Sequence, residues 1–264
     1  MNNKTQNQEN GNGIFTLPPV FTYVAENAVF VLCETSDNET CHIKLKYDYI
    51  VSIHSDNVRE RSTIITKDCK LTALAPLNDI LDCLPANKFA RIRWNEVLNL
   101  TLVDRIDANI LFIGRNSYSI DKNYAEEVFQ AFHIVDKDTV YHLEPSSYHD
   151  AIFLRVGEVY RRIKIDEILW IESYHNYCDI YVVGNARPLC SVFPLTAWQK
   201  ILPEEHFIRL HRSVIVNTNH IDGVQSGTVF IRDYLFKIPK SHRHIITTHF
   251  HLFQRNRQKL NLTR

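Results

Sequence analysis

Glycine is scarce in this chain: seven in 264 residues. Loops lined by bare backbone, which cradle phosphates in nucleotide-using enzymes, need glycine, and no such motif is present. Long apolar runs are missing as well; none approaches the ~18 residues that a membrane-crossing helix requires. No CxxC pair occurs among Cys33, Cys41, Cys69, Cys83, Cys178 and Cys190. Their scatter through apolar or mixed surroundings fits free thiols in a reducing compartment. The start, MNNKTQNQENGNG, is polar with no apolar segment behind a basic one, so residues 1–25 read as a flexible tail rather than a signal peptide. Together these absences predict a cytoplasmic chain without membrane contact. Histidine is plentiful, at 13, but the group His242, His244, His249 and His251 lacks the close ligand spacing of a zinc site. No metal or other cofactor is expected.

The formal net charge of zero hides an asymmetry. Residues 1–149 carry 14 Lys+Arg against 20 Asp+Glu, a balance of −6, and residues 150–264 carry 16 against 10, a balance of +6. Eight of the 13 histidines also fall in the basic part. A chain of this length is comfortable as two domains, and the basic one is the candidate for a polyanionic partner such as nucleic acid.

Laid against itself, the sequence matches at a constant offset of 118 over about residues 42–132 and 160–250. KYDYIVSIHS (46–55) lies on KIDEILWIES (164–173), and LPANKFARI (84–92) on LPEEHFIRL (202–210). Asn99 matches Asn217, Asp104 matches Asp222, and Lys122 matches Lys240. A register held without gaps over roughly 90 residues predicts two copies of one fold. Within each copy, β-branched or alternating runs such as 28–33, 62–66, 151–156 and 180–183 read as short strands bounded by Asn, Asp and Gly. PLNDILDCL and PLTAWQKIL place proline at a first helical position with apolar residues three and four apart, the pattern of a short helix. NYAEEVFQAFH closes the first copy as a helix with Tyr124, Val128, Phe129 and Phe132 on one face. The expected fold class is mainly β: two tandem domains of small stacked antiparallel sheets with one or two short helices each. The domains are expected at residues 26–135 and 150–252, with a linker at 136–149 and a basic tail at 253–264.

Residues 202–222, LPEEHFIRLHRSVIVNTNHID, combine a strand pattern with Arg209, His211 and Arg212. The HRS tripeptide interrupts the apolar background with donors and positive charge, so it reads as a loop or strand edge presenting donors outward. This run, with IDEILWIESYHNYCDIY (165–181) and FKIPKSHRH (236–244), resembles the LytTR family of bacterial DNA-binding domains. The resemblance implies an elongated stack of small antiparallel sheets whose loops, rather than a recognition helix, enter successive major grooves of double-stranded DNA. It therefore implies a sequence-specific transcription regulator. By position, the family's three reading places fall on Tyr174, His175, Asn176, Tyr177 and Cys178, on the turn of His211, Arg212 and Ser213, and around Lys240. The side-chain chemistry agrees: arginine can donate two parallel hydrogen bonds to guanine O6 and N7, so Arg212 is the best base reader. Lys237, Lys240 and Arg243, with Ser241 between, suit phosphates. Tyr174 or Tyr177 could instead pack a strand end and Asn176 hold a turn. Arg209 falls on a strand face, where it could also pair with an acid.

The first copy keeps the framework but not these donors. Arg93, Trp94, Asn95 and Glu96 stand where the second copy has HRSV, and DNVRE (56–60) where it has YHNYC. It reads as a degenerate copy that serves assembly or sensing, with self-association or a protein partner through it; an exposed Trp94 would suit such an interface, and a core or strand-packing tryptophan is the alternative. Phosphorylation in cis is not expected, because no receiver-like pattern of strands ending in acids precedes residue 150. A duplicated interaction scaffold with only nonspecific polyanion binding is the alternative, and a reader using both copies lies between the two. An enzyme is not expected: Ser213 near His211 has no oriented third partner.

Overall fold

The computed structural model describes residues 27–35, 39–55, 60–135 and 150–250; the expected tails (1–25, 253–264) and linker (136–149) lie outside them. The chain forms two compact units, one from residues up to 102 with 120–128, the other from 103–119 with 129 onward. No helix among the described residues is long and apolar enough to cross a membrane.

In the first unit, β1 (Ala28–Glu34) and β2 (Thr40–Lys46) form a hairpin, followed by β3 (Ile50–Ser55), β4 (Ser62–Thr66), β5 (Lys70–Ala73), α1 (Leu77–Leu81), β6 (Phe89–Arg93) and β7 (Glu96–Asn99). These strands make one antiparallel seven-stranded sheet in the order β2-β1-β5-β4-β3-β7-β6. Alternation buries Ser62, Ile64 and Thr66 of β4 while Thr63 and Ile65 stay half-buried. Val31, Ile53, Ile64, Ile80 and Val97 are fully buried in one core. Each such aliphatic side chain contributes about 1.5–3 kcal/mol by leaving water.

The second unit begins with β8 (Arg105–Asp107), β9 (Ile110–Ile113) and β10 (Asn116–Ser119). After α2 (Lys122–Gln130) come β11 (Ile134–Val135), β12 (Ala151–Val156) and β13 (Val159–Lys164). These strands form a sheet in the order β10-β9-β8-β13-β12-β11, with β11 parallel to β12. Next are β14 (Ile168–Tyr174), β15 (Tyr177–Val182), β16 (Leu189–Ser191), α3 (Leu195–Ile201), β17 (Phe207–His211) and β18 (Val214–Asn217), with sheet order β16-β15-β14-β18-β17. A three-stranded sheet of β19 (Gly223–Gln225), β20 (Thr228–Ile231) and β21 (Tyr234–Lys237) precedes α4 (His244–His249). Ile171, Ile180, Phe193 and Trp198 pack on one side of the central sheet. Trp170, Leu210, Val216, Val229 and Ile231 pack on the other, where Trp170 stacks on Tyr181 with ring centroids 4.2 Å apart.

The mainly β class, with several antiparallel sheets and short helices, is what the residues predict. Two details differ. Pro76 and Pro194 are N-caps with extended backbone rather than first helical residues, because the fixed proline φ suits either place but the ψ near 150° does not continue into a helix. The strand expected at 180–183 begins earlier, at Tyr177, since the turn before it is only two residues long.

From β2 and β13 onward, elements recur 118 positions apart. The strand bounds of β6, β7, β8, β9 and β10 map onto those of β17, β18, β19, β20 and β21 without a shift. Individual hydrogen bonds recur as well. The buried amide of Asn99 donates to the Ile50 carbonyl at 2.8 Å, and that of Asn217 to the Ile168 carbonyl at 2.9 Å. Leu100 N–H donates to Lys88 O and Thr218 N–H to His206 O, both at 2.7 Å.

Candidate nucleic-acid interface

Three segments of the second unit carry the donors picked out by the sequence. The first is the turn joining β14 to β15. Tyr174 pairs with Tyr177, leaving His175 and Asn176 at the tip. His175 adopts a left-handed backbone, φ 52°, which costs a non-glycine residue roughly 1–2 kcal/mol. The Tyr174 ring meets the His175 ring edge-on at 4.8 Å and the Tyr177 ring at 5.5 Å. Tyr174, His175 and Asn176 are exposed and Tyr177 half-buried.

Cys178 does not belong to this tip. The strand starts at Tyr177, so alternation turns Cys178 inward, where it is 1% exposed and packed in the core with Ile180 and Trp198. Burial, then the nearby Asp179 and Cys190, pushes its thiol up to about 11. Its proposed contact with DNA is therefore corrected: the thiol fixes the strand from beneath and cannot reach a groove.

The second segment is the β17–β18 turn. Arg212 is exposed at its tip, and among the described residues its guanidinium has no hydrogen bond or ion pair. The turn itself is held by Arg209. This guanidinium donates to Arg212 O at 2.7 Å, His211 O at 3.2 Å and Gln199 Oε1 at 3.0 Å. Arg209 thus braces the turn with its donors already committed; no acid pairs with it among the described contacts. Ser213 N–H donates to His211 Nδ1 at 3.3 Å, and the Ser213 hydroxyl lies 3.0 Å from the same nitrogen. Burial lowers the His211 pKa, and His242, Arg209 and Arg212 lower it further. The turn is tied to the first segment through Ser173 N–H, which donates to Ser213 O at 2.8 Å.

The third segment follows β21. Lys237, Lys240, Ser241 and Arg243 are all exposed. Ser241 Oγ lies 3.0 Å from His242 Nδ1, so its hydroxyl is already engaged. The Arg243 guanidinium lies against Gly227, where an added Cβ would come within 2.6 Å of Nε. Sequence reasoning missed two residues here. His242 faces His211 from another element, and Gly227 makes room for Arg243; neither relation has a local signature. Acids border the site too: Glu172 faces Asp179 across the β14–β15 ladder. Burial, then Asp179, raises the Glu172 pKa.

At the matching positions of the first unit the pattern is altered. Trp94 occupies the turn tip and is 68% exposed. Arg91 braces that turn by donating to Trp94 O and Asn78 Oδ1, as Arg209 does. Arg93 lies 3.6 Å from the buried Glu96 carboxylate and 4.0 Å from Asp121, and His54 lies 3.6 Å from Glu96. Asp56 to Arg59 lie outside the described residues.

No curated protein matches the chain. A solved LytTr DNA-binding domain from Bacillus cereus is similar, at 18% identity and a TM-score of 0.34, over 38% of this chain and 96% of that one. The family model described as "LytTr DNA-binding domain" matches residues 158–247, a span that contains all three segments. Residues 158–247 are a LytTR DNA-binding domain, of the type found in response-regulator transcription factors.

Proposed function

We propose that the chain is a sequence-specific transcription regulator. The β14–β15 tip, the Arg212 turn and the segment around Lys240 read and clamp double-stranded DNA. The observation that carries this is the contrast between two arginines of one turn. Arg209 spends its donors on the turn's own carbonyls, and Arg212 is left projecting with its fork of donors free for a base edge. Lys237, Lys240 and Arg243 supply phosphate contacts. Residues 26–135 are a second, degenerate LytTR-like copy that serves assembly or sensing. In its favour are the element bounds, the asparagine device and the arginine brace, all repeated 118 residues apart. Its turn offers an exposed indole and internally paired charges instead of free donors.

The test is selection of preferred sites from a random DNA pool, followed by affinity measurements on the winning site and on scrambled DNA. Arg212→Ala is expected to lose about 1–3 kcal/mol on the winner and little on scrambled DNA. Arg209→Met weakens binding but keeps the order of preferred bases. Absence of any selected motif, or equal losses on both DNAs, would refute base reading by Arg212.

A further inference from the structure

The three-stranded sheet that ends each copy is placed differently in the two. In the first copy, the outer edge of β8 pairs with β13: Ile106 faces Tyr160, Arg105 faces Arg161, and Arg162 N–H donates to Asp104 O at 3.0 Å. The matching strand of the second copy is β19, terminal in its sheet; the strand matching β13 is β2, likewise terminal. Among the described residues, each edge lacks the neighbour that its counterpart has. Unpaired edge strands carry rows of donors and acceptors that template pairing with another chain.

We propose that copies of this chain associate head to tail, with β19 of one copy pairing antiparallel with β2 of the next and repeating the β8–β13 junction. Carried over by the 118-residue offset, Val224 faces His42, Gly223 faces Ile43, and Lys44 N–H donates to Asp222 O. The substituted pairs favour the contact: the two arginines that face each other inside the chain become glycine and isoleucine, which removes a like-charge pair. Local charge does not oppose the contact: β2 carries Lys44 and Lys46 without an acid, and β19 is uncharged and directly preceded by Asp222. Such an interface is heterologous, so each copy contributes two different edges and association builds rings or open chains. It rests on the proposed duplication, and it gives the first copy's role in assembly a defined surface.

Backbone alternation supplies the test. Thr35 N–H donates to Glu39 O and Tyr47 N–H to Asn27 O. Every second pair of the β1–β2 ladder is therefore hydrogen-bonded, and Lys44, opposite Phe30, falls on a non-bonded pair with its N–H outward. By the same count, Ile106 N–H faces β13, so Val224 N–H faces out of β19. Lys44→Pro and Val224→Pro each remove one outward donor while keeping the strand's own ladder.

Sedimentation velocity without DNA, over a concentration series, is expected to show association of the wild type that is about 10-fold weaker or lost in either variant. Mixing the two variants restores association but stops at a 1:1 dimer, because each contributes one intact edge. A monomeric wild type, a single variant that associates like the wild type, or a mixture that stays monomeric overturns the proposal. Arg212→Ala associates like the wild type, so failure of DNA reading and failure of assembly are told apart.

Discussion

Arg91 and Arg209 occupy matching strand positions and hold the carbonyl of matching turn-tip residues, Trp94 and Arg212. The brace is kept while the tip residue differs, so one position shapes the turn and the other carries its chemistry. His211 lies between these roles. Its Nδ1 accepts from Ser213 N–H, burial disfavours the charged ring, and His242, Arg209 and Arg212 face it with positive or protonatable groups. Its folded pKa is therefore depressed from an ordinary 6.5. The unfolded chain takes up the proton first as pH falls, so this group's contribution is full above ~6.5 and is lost below it. DNA phosphates oppose the depression, so binding takes up a proton. Stability of the free chain is expected to fall between pH 7 and 5.5 while DNA affinity rises, and His211→Gln flattens both trends. Urea melts and titrations at two pH values check this. The sequence singled out the HRS cluster, but not the division of labour within it. Arg209 binds carbonyls, which leave no trace in residue identity, and Cys178 could be placed inward only once the turn length before it was known.

At the level of elements, the constant offset was the most legible feature, because the bounds of β6 to β10 recur in β17 to β21 without a shift, although the pairing of Ile53 with Ile64 and of Ile171 with Ile180 sets β4 and β15 two residues off it. The identities that stood out in it prove architectural. Asn99 and Asn217 hold strand carbonyls, and Asp104 and Asp222 accept the backbone N–H of Gly114 and Arg232. Pairing of β8 with β13 was not legible, since contacts between distant short segments have no local periodicity. The β19–β20 turn shows how one element serves another. Gly227, at φ 80°, leaves the space that the Arg243 guanidinium fills. Gly227→Ala adds a methyl group there and strains a left-handed backbone by about 1 kcal/mol. The flexible arginine moves sooner than the turn does. DNA affinity is expected to fall on all sequences alike, with the slope of log K against log salt shallower by about 0.9, one phosphate contact. Base preferences stay as they were. A changed motif would show that Gly227 shapes a reading loop instead.

For the whole molecule the question is whether the first unit meets DNA as well as the LytTR domain. A tandem reader would place both turn tips and both lysines of the matching pair, Lys122 and Lys240, on phosphates. The charges argue against it. Lys240 is exposed in a segment with Lys237 and Arg243 nearby in sequence, whereas Lys122 follows Asp121 and precedes Glu126 and Glu127, all three exposed. A phosphate approaching Lys122 would meet carboxylates close by in sequence, and repulsion acts within a Debye length, about 8 Å in physiological salt. With one reading copy per chain, Lys240→Ala shallows the salt slope by about 0.9 and weakens binding to every sequence. Lys122→Ala leaves slope and affinity unchanged. The measurement is a salt series on the selected site for both variants. Equal effects of the two would mean that the acidic copy touches the backbone after all, and the protected DNA would then extend over additional grooves. An effect of Lys240→Ala alone assigns the backbone contact to the LytTR domain at residues 158–247.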